Sequence, residues 1–360
     1  MSKAKGELLR LLVVCPSWLG DTAMATPALR LIRRSLPGIF VGGLMRPGLD
    51  DLLAGSHFFD EVHIARASGV MGPKHAAAKV RPRRYDAALL LTNSFSTALT
   101  TRLAGIPRRI GYDRDLRGIL LTDKLRAPTR ADGSWAPTPA VDYYLRLVRE
   151  CLVGDCAAPA ADEGFLELGV TPEQESAGIA VLAKAGIAPT ERFAILNPGG
   201  NNEAKRWPAD RFARLAAFLH RTHSLRVVVN GSPSERDLTE QIEADSGLGA
   251  ACVSLAALGI TIGSLKSVVR RASLMVTNDT GPRHLAAALG VPLVTMFGPT
   301  DHRWTTIRTR PGGPEKILLA DPTLPEAELA NDHPERCRID RITEQTVQAA
   351  VHNVLAPRPQ

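Results

Sequence analysis

A chain of 360 residues is long enough for two domains of ordinary size, and 44% apolar against 22% charged residues is the balance of a globular protein, not a disordered or fibrous one. The net charge of +7 is unevenly spread: residues 1–150 carry 23 Lys+Arg against 13 Asp+Glu, whereas residues 151–360 carry 21 against 24. A one-sided positive field suits a polyanionic partner or is simply a solvated face, while 5% aromatic content without an aromatic-rich basic strand argues against nucleic acid.

The predicted elements begin at the N-terminus. Residues 11–14 are apolar and run straight into Pro16-Ser17, after Arg10 has interrupted Leu8 and Leu9. This is short for a signal segment and lacks a small-residue cleavage site, so it reads as a buried first strand. Further strands are predicted at 39–44, 62–65 and 87–91, with helices at 25–35 and 96–103. Near 150–175 the texture turns to Gly154, Asp155, an Ala/Pro-rich stretch to residue 161 and then acidic residues, which reads as a linker. A second series follows, with strands at 193–196, 226–230, 274–277 and 293–296 and helices near 208–222, 234–245, 264–272 and 282–289. Beyond Pro322 the chain is polar and irregular until a last helix near 343–355.

Alternating strands and helices predict α/β architecture: two doubly wound, Rossmann-like domains at 1–160 and 161–342, facing across a cleft, with a C-terminal helix and tail at 343–360. No run reaches the ~18 apolar residues of a spanning helix. The five cysteines (Cys15, Cys151, Cys156, Cys252, Cys337) are scattered and contain no Cys-x-x-Cys, so neither a disulfide framework nor a zinc site is expected and a reducing cytoplasm fits.

Three loops that follow predicted strands have the chemistry for a site. Pro16-Ser17-Trp18-Leu19-Gly20-Asp21-Thr22 precedes an apolar helix. Gly20 permits close approach, and Asp21 is either a helix cap or a carboxylate available as general base. Pro198-Gly199-Gly200, followed by Lys205-Arg206 and Trp207-Pro208, offers backbone amides and cations to a phosphate, or is a solvated surface loop. Thr277-Asn278-Asp279-Thr280-Gly281-Pro282-Arg283-His284 ends a strand and opens a helix. Pro282 fits the first helical position, and the helix N-terminus with the Thr280 hydroxyl makes an anion site that His284 reaches unless it is a packing residue. Neither the dinucleotide fingerprint nor a P-loop ending is present.

Taken with Leu91-Thr92-Asn93-Ser94-Phe95, Ala104-Gly105-Ile106-Pro107-Arg108-Arg109-Ile110-Gly111 and Phe297-Gly298-Pro299-Thr300, these loops resemble glycosyltransferase family 9, the lipopolysaccharide heptosyltransferases, and within it the heptosyltransferase II type. The resemblance covers about residues 10 to 305 in family order. It implies a GT-B fold and inverting, metal-independent transfer of heptose from ADP-heptose, without a cofactor. The implied acceptor is an anionic glycolipid of the lipopolysaccharide inner core at the cytoplasmic membrane surface. It further implies Asp21 as base, Lys205 as the donor-phosphate cation, and Asp279, Thr280, Gly281 and His284 as the donor loop, with Gly199, Gly200 and Arg206 beside them. Asn93, Ser94, Arg108 and Arg109 are the acceptor candidates, with the basic segment 79–84 behind them. No Asp-x-Asp pair is expected on a loop, no Cys/His cluster has ligand spacing, and a monomer that binds no nucleic acid is expected. A GT-B sugar-nucleotide epimerase would share the donor loops, and a non-catalytic nucleotide-sugar or glycan-binding protein would need no base at Asp21.

Overall fold

A computed structural model describes residues 8–154, 163–200, 202–324 and 335–356. The Ala/Pro-rich stretch to residue 161, Asn201 and Cys156 lie outside the described residues, as does part of the tail at 321–341. The chain divides into two compact units, residues 1–169 with 303–306, and residues 170–302 with 307–360.

The first unit is a parallel sheet of β1 (Arg10–Val14), β2 (Phe40–Met45), β3 (Glu61–Ile64), β4 (Ala87–Leu90), β5 (Arg108–Tyr112) and β6 (Asp123–Leu125) in the order β3-β2-β1-β4-β5-β6. Its helices are α1 (Leu19–Met24), α2 (Thr26–Ser35), α3 (Leu49–Leu53), α4 (Gly72–Val80), α5 (Phe95–Leu103) and α6 (Ala140–Val148). Leu11 to Val14 and Ala87 to Leu90 are buried on both faces, which is why these strands read as continuous apolar runs.

The second unit opens with α7 (Pro172–Lys184) and contains β7 (Phe193–Asn197), α8 (Ala209–His223), β8 (Arg226–Val229), α9 (Arg236–Asp245), β9 (Cys252–Ser254), α10 (Ile262–Arg271), β10 (Leu274–Asn278), α11 (Gly281–Ala288), β11 (Leu293–Phe297), β12 (Glu315–Leu319) and α12 (Glu344–Leu355). Its sheet order, β12-β11-β10-β7-β8-β9, repeats that of the first unit. Trp207 anchors the core, edge-on to Phe212 with ring centroids 5.1 Å apart, and its indole N–H donates to the Ile342 carbonyl at 2.8 Å. Val347, Ala350 and Val351 bury one face of α12 in the same core, each of the two valines contributing about 1.5–3 kcal/mol. The C-terminal helix therefore belongs to the second unit and does not form a separate piece.

The sequence reading missed the charged strands β5, β6 and β12 and the three-residue β9, which draw stability from the neighbouring ladder. It also missed α7, which starts inside the stretch read as linker. There Thr171 and Gln174 form a capping box and Pro172 takes the first helical position.

Candidate functional site

Ligands of open α/β sheets bind beyond the carboxyl ends of the strands, where the strand order reverses. That point lies between β1 and β4 in the first unit and between β7 and β10 in the second. The Asp21 loop follows β1 and the Asn93-Ser94 loop follows β4; the Gly199-Gly200 loop follows β7 and the Asp279–Gly281 segment follows β10.

In the second unit buried amides tie the two loops together. Asn197 donates Nδ2 to Thr277 Oγ1 at 3.1 Å and to Thr280 Oγ1 at 2.9 Å, and accepts from Asn230 Nδ2 at 2.7 Å. Asn278 donates to the Pro198 carbonyl at 2.7 Å and accepts the Trp207 amide at 3.3 Å. Amides paired this way offset the cost of burying them and fix the strand ends rigidly.

Lys205 ends a short 3₁₀ turn, with Nζ 3.4 Å from Asp279 Oδ2. Asp279 also receives Arg283 Nη1 at 3.3 Å and the Thr300 hydroxyl at 3.4 Å. Arg283 is fully buried and grips Glu315 of β12 with Nε at 2.6 Å and Nη2 at 3.0 Å, while Thr295 donates to the same carboxylate at 2.6 Å. A chain of alternating charge therefore runs from the second sheet's edge strand to the candidate donor cation.

Three sequence-based expectations change here. Gly200 donates its amide to Glu235 Oε1 at 2.9 Å, and a Cβ on Gly199 would stand 2.1 Å from that oxygen, so Glu235 occupies the amide expected to face phosphate. Arg206 first closes its own loop, donating Nε to the Gly200 carbonyl at 2.9 Å. It also borders a cavity of about 450 Å³ lined by Ala204, Pro208, Pro299, Arg338 and Ile339. His284 is buried, and burial followed by the neighbouring Arg283 charge holds its pKa well below the ordinary value, so it acts as a neutral imidazole and not as a cation. Its Nδ1 makes no hydrogen bond among the described residues, an orphan that a ligand atom would satisfy. Thr280 is the N-cap of α11 without a side-chain capping bond, because its hydroxyl is engaged with Asn197.

In the first unit Asp21 is half-buried in the first turn of α1, whose N-cap is Trp18, so the capping reading of Asp21 does not hold. Its negative charge, after burial, helps to push the buried Tyr144 hydroxyl well above the ordinary range. Ser94 caps α5 by accepting the Thr97 amide. Asn93 is held by the fully buried Arg117, which donates Nη2 to Asn93 Oδ1 at 2.9 Å and Nε to the Tyr112 carbonyl at 2.9 Å, and reaches the Thr92 carbonyl. Tyr143 adds a hydroxyl to Asn93 Oδ1 at 3.2 Å and stacks on Tyr112 with centroids 3.7 Å apart. Burial lowers the Arg117 guanidinium to about 10, so it remains charged at neutral pH.

Arg108 and Arg109 do not join this group. They open β5, paired with Ala87 and Ala88, and so stand at the amino edge of the sheet, opposite the loops after β1 and β4. Arg108 bonds Asp123 and the Cys151 carbonyl, and Arg109 bonds the carbonyls of Leu120, Ile106 and Pro107. The basic segment 79–84 ends at the same amino edge, where Arg81 bonds the Leu103 carbonyl and Arg83 pairs with Glu61 at the start of β3, while Lys79 is tied to the Ile64 carbonyl at the end of that strand. The structure offers Arg46 and Arg66 instead, on the loops after β2 and β3. They line a pocket of about 250 Å³ with Ser17, Ser68, Ser94 and Ser96. Arg46 is braced by the Ser17 carbonyl at 3.3 Å and lies over the Trp18 ring.

Sequence reasoning therefore missed Arg46, Arg66, Arg117, Glu235, Arg283 and Glu315. The first two follow predicted strands directly, and the carboxyl-edge rule alone points to them; Glu315 carries no local signal. The expectation that no loop carries an Asp-x-Asp pair fails, since Asp113-Arg114-Asp115 follows β5. Among the described residues no group of three or more His, Cys, Asp or Glu could hold a metal ion.

Two doubly wound units of one strand order, each with its polar loops at the order reversal, are the two halves of a GT-B fold. The model of glycosyltransferase family 9 (heptosyltransferase) matches residues 75–334, and the chain belongs to that family. It is 28% identical over 306 residues to lipooligosaccharide heptosyltransferase 2 of Haemophilus influenzae, covering 82% of this chain and 85% of the relative. It is 27% identical over 358 residues to lipopolysaccharide heptosyltransferase 2 of Salmonella typhimurium, covering 97% and 99%. The solved structure of Escherichia coli ADP-heptose lps heptosyltransferase II superimposes with a TM-score of 0.78 at 24% identity, over 96% of this chain and 98% of that one. Membership of a transferase family sets aside the epimerase and binding-protein readings.

Proposed function

We propose that this glycosyltransferase moves heptose from ADP-heptose to an acidic, lipid-linked sugar of the lipopolysaccharide core, with inversion and without a metal, at the cytoplasmic face of the membrane. The observation that carries the reading is the placement of both sets of polar loops at the order reversals of their sheets, where Lys205, the α11 N-terminus and the orphaned His284 Nδ1 collect in one unit and Asp21 in the other. Lys205 and the first-turn amides of α11 meet the diphosphate. Asp21 takes the proton of the acceptor hydroxyl as its oxygen bonds to the anomeric carbon. The bond from that carbon to the diphosphate breaks on the opposite face, and ADP leaves with the electron pair. The Arg46 and Arg66 pocket, with its serine hydroxyls, suits an acidic group of the acceptor.

Donor screening by thermal shift with ADP-, UDP- and GDP-sugars, followed by transfer assays with and without EDTA, tests this. ADP-heptose should stabilise the protein most and EDTA should leave turnover intact. A preference for UDP- or GDP-sugars removes the heptose assignment. Loss of activity in EDTA with recovery in manganese overturns the metal-free reaction and directs attention to Asp113 and Asp115.

A further inference from the structure

Three neighbouring strands of the second sheet end in polar side chains that form one hydrogen-bonded chain. Asn230 directly follows β8, Asn197 ends β7 and Thr277 lies near the end of β10, with Thr280 three residues further on at the start of α11. Asn230, Asn197 and Thr277 are buried, and Thr280 is half-buried.

The direction of the chain follows from what each atom can give or take. The Thr277 hydroxyl lies 2.7 Å from the Asn278 carbonyl, which only accepts, so Thr277 spends its proton there. The Asn197 atom 3.1 Å from the same hydroxyl must therefore be the amide nitrogen. That nitrogen gives its second hydrogen to Thr280 Oγ1 at 2.9 Å, and the Asn197 oxygen is left to accept from Asn230 Nδ2 at 2.7 Å. Donation thus runs one way, from Asn230 through Asn197 to Thr280.

This polarity decides where the Thr280 proton goes. The Thr280 oxygen is already an acceptor, so its hydrogen is directed away from Asn197. Among the described residues its one acceptor is the Asn278 carbonyl at 3.4 Å, a long bond to an oxygen that Thr277 already holds at 2.7 Å. The Thr280 methyl faces Gly200, where a Cβ would stand 3.4 Å from it. Thr280 is the N-cap of α11, so this loosely held proton stands beside the helix's first-turn amides. A hydroxyl that accepts one hydrogen bond donates a stronger one, because bonds in a chain polarise one another.

We infer that Asn197 and Asn230 are positioning residues that present the Thr280 hydroxyl as a hydrogen-bond donor to the diphosphate, an inference that rests on the ADP-sugar reading of the proposed function. Neither amide touches the ligand; each acts through the next group in the chain. Negative charge grows on the diphosphate as the anomeric bond breaks, so a proton already aimed there favours departure of ADP as well as binding of the donor.

Calorimetric titration of the full chain with ADP tests this. Thr280→Val keeps the shape and removes the hydroxyl, and should weaken ADP binding about tenfold or more; Thr280→Ser should recover most of that loss. Asn197→Leu, neutral and of similar volume, should weaken ADP binding roughly two- to tenfold in the otherwise unaltered protein. Beside Thr280→Val it should cost nothing further, because the amide acts only through the hydroxyl. Equal effects of Asn197→Leu in the two backgrounds reduce Asn197 to a structural residue and overturn the inference, as does unchanged ADP affinity in Thr280→Val. If Asn197→Leu does not fold, Asn230→Leu goes through the same cycle with the same two outcomes. Failure of the unaltered protein to bind ADP defeats the donor reading and the inference together, whereas ADP binding with an additive cycle defeats the inference alone.

Discussion

Asp21 is the residue on which turnover should depend most steeply. It lies in the first turn of α1 without being the cap, so Asp21→Asn keeps shape and helix while removing the proton acceptor. Turnover should fall about 10²- to 10⁴-fold with donor affinity unchanged, as read by steady-state kinetics beside calorimetric titration. Near-normal turnover would send the search for the base elsewhere. Lys205→Ala should weaken donor binding roughly ten- to a hundredfold, the size of one charge-assisted phosphate contact, without lowering the melting temperature. Unchanged donor affinity would reduce Lys205 to a partner of Asp279. Both residues were legible in the sequence because each sits in a loop between an apolar run and a helix. Arg108 and Arg109 were misread because charge was weighed without asking which end of the strand carries it. An arginine that starts a strand and one that follows a strand face opposite edges of a parallel sheet.

At the scale of elements, β12 and α11 are joined by a buried ion pair. Glu315 and Arg283 are bonded through two hydrogen bonds, with side-chain exposures of 4% and 0%. Removing Glu315 strips Nε and Nη2 of the buried Arg283 guanidinium of their carboxylate, so Glu315→Ala should cost about 3–5 kcal/mol of stability in denaturant unfolding. Because Arg283 also holds Asp279, the same substitution should loosen donor binding. A stability loss without a change in donor affinity would separate the pair from the site. Most of the fold was readable for a physical reason: β1, β4, β7, β10 and β11 are covered on both faces and so are apolar along most of their length. The edge strands β6 and β12 escaped because only one side of each is paired, which lets Asp123, Lys124, Glu315 and Lys316 stand within them. The helix α7 escaped because its capping residues sit in a segment whose composition is that of a linker.

For the whole molecule, stability should carry a histidine signature. His284 and His223 both have pKa values below the ordinary 6.5, in each case through burial first. The native state refuses protons that the unfolded chain accepts, so stability is full above about pH 6.5 and declines as pH falls beneath it. The lowered carboxylates, such as Asp321 at about 2, act only in a more acidic window. Thermal unfolding between neutral pH and about pH 5 should show the decline, and His284→Asn should flatten part of it. An unaltered slope in that variant would mean that His284 titrates normally. The pairing of Lys205 with Asp279 has a consequence for selectivity among competing anions. A lysine already neutralised by its own carboxylate is a poor trap for stray anions, because any newcomer must displace an internal rival. Inorganic phosphate, offering one contact, should compete feebly with the donor, whereas ADP, whose β-phosphate arrives together with a base and a ribose, should inhibit strongly. The internal carboxylate should thus make the cation respond to a whole nucleotide and stay indifferent to its fragments.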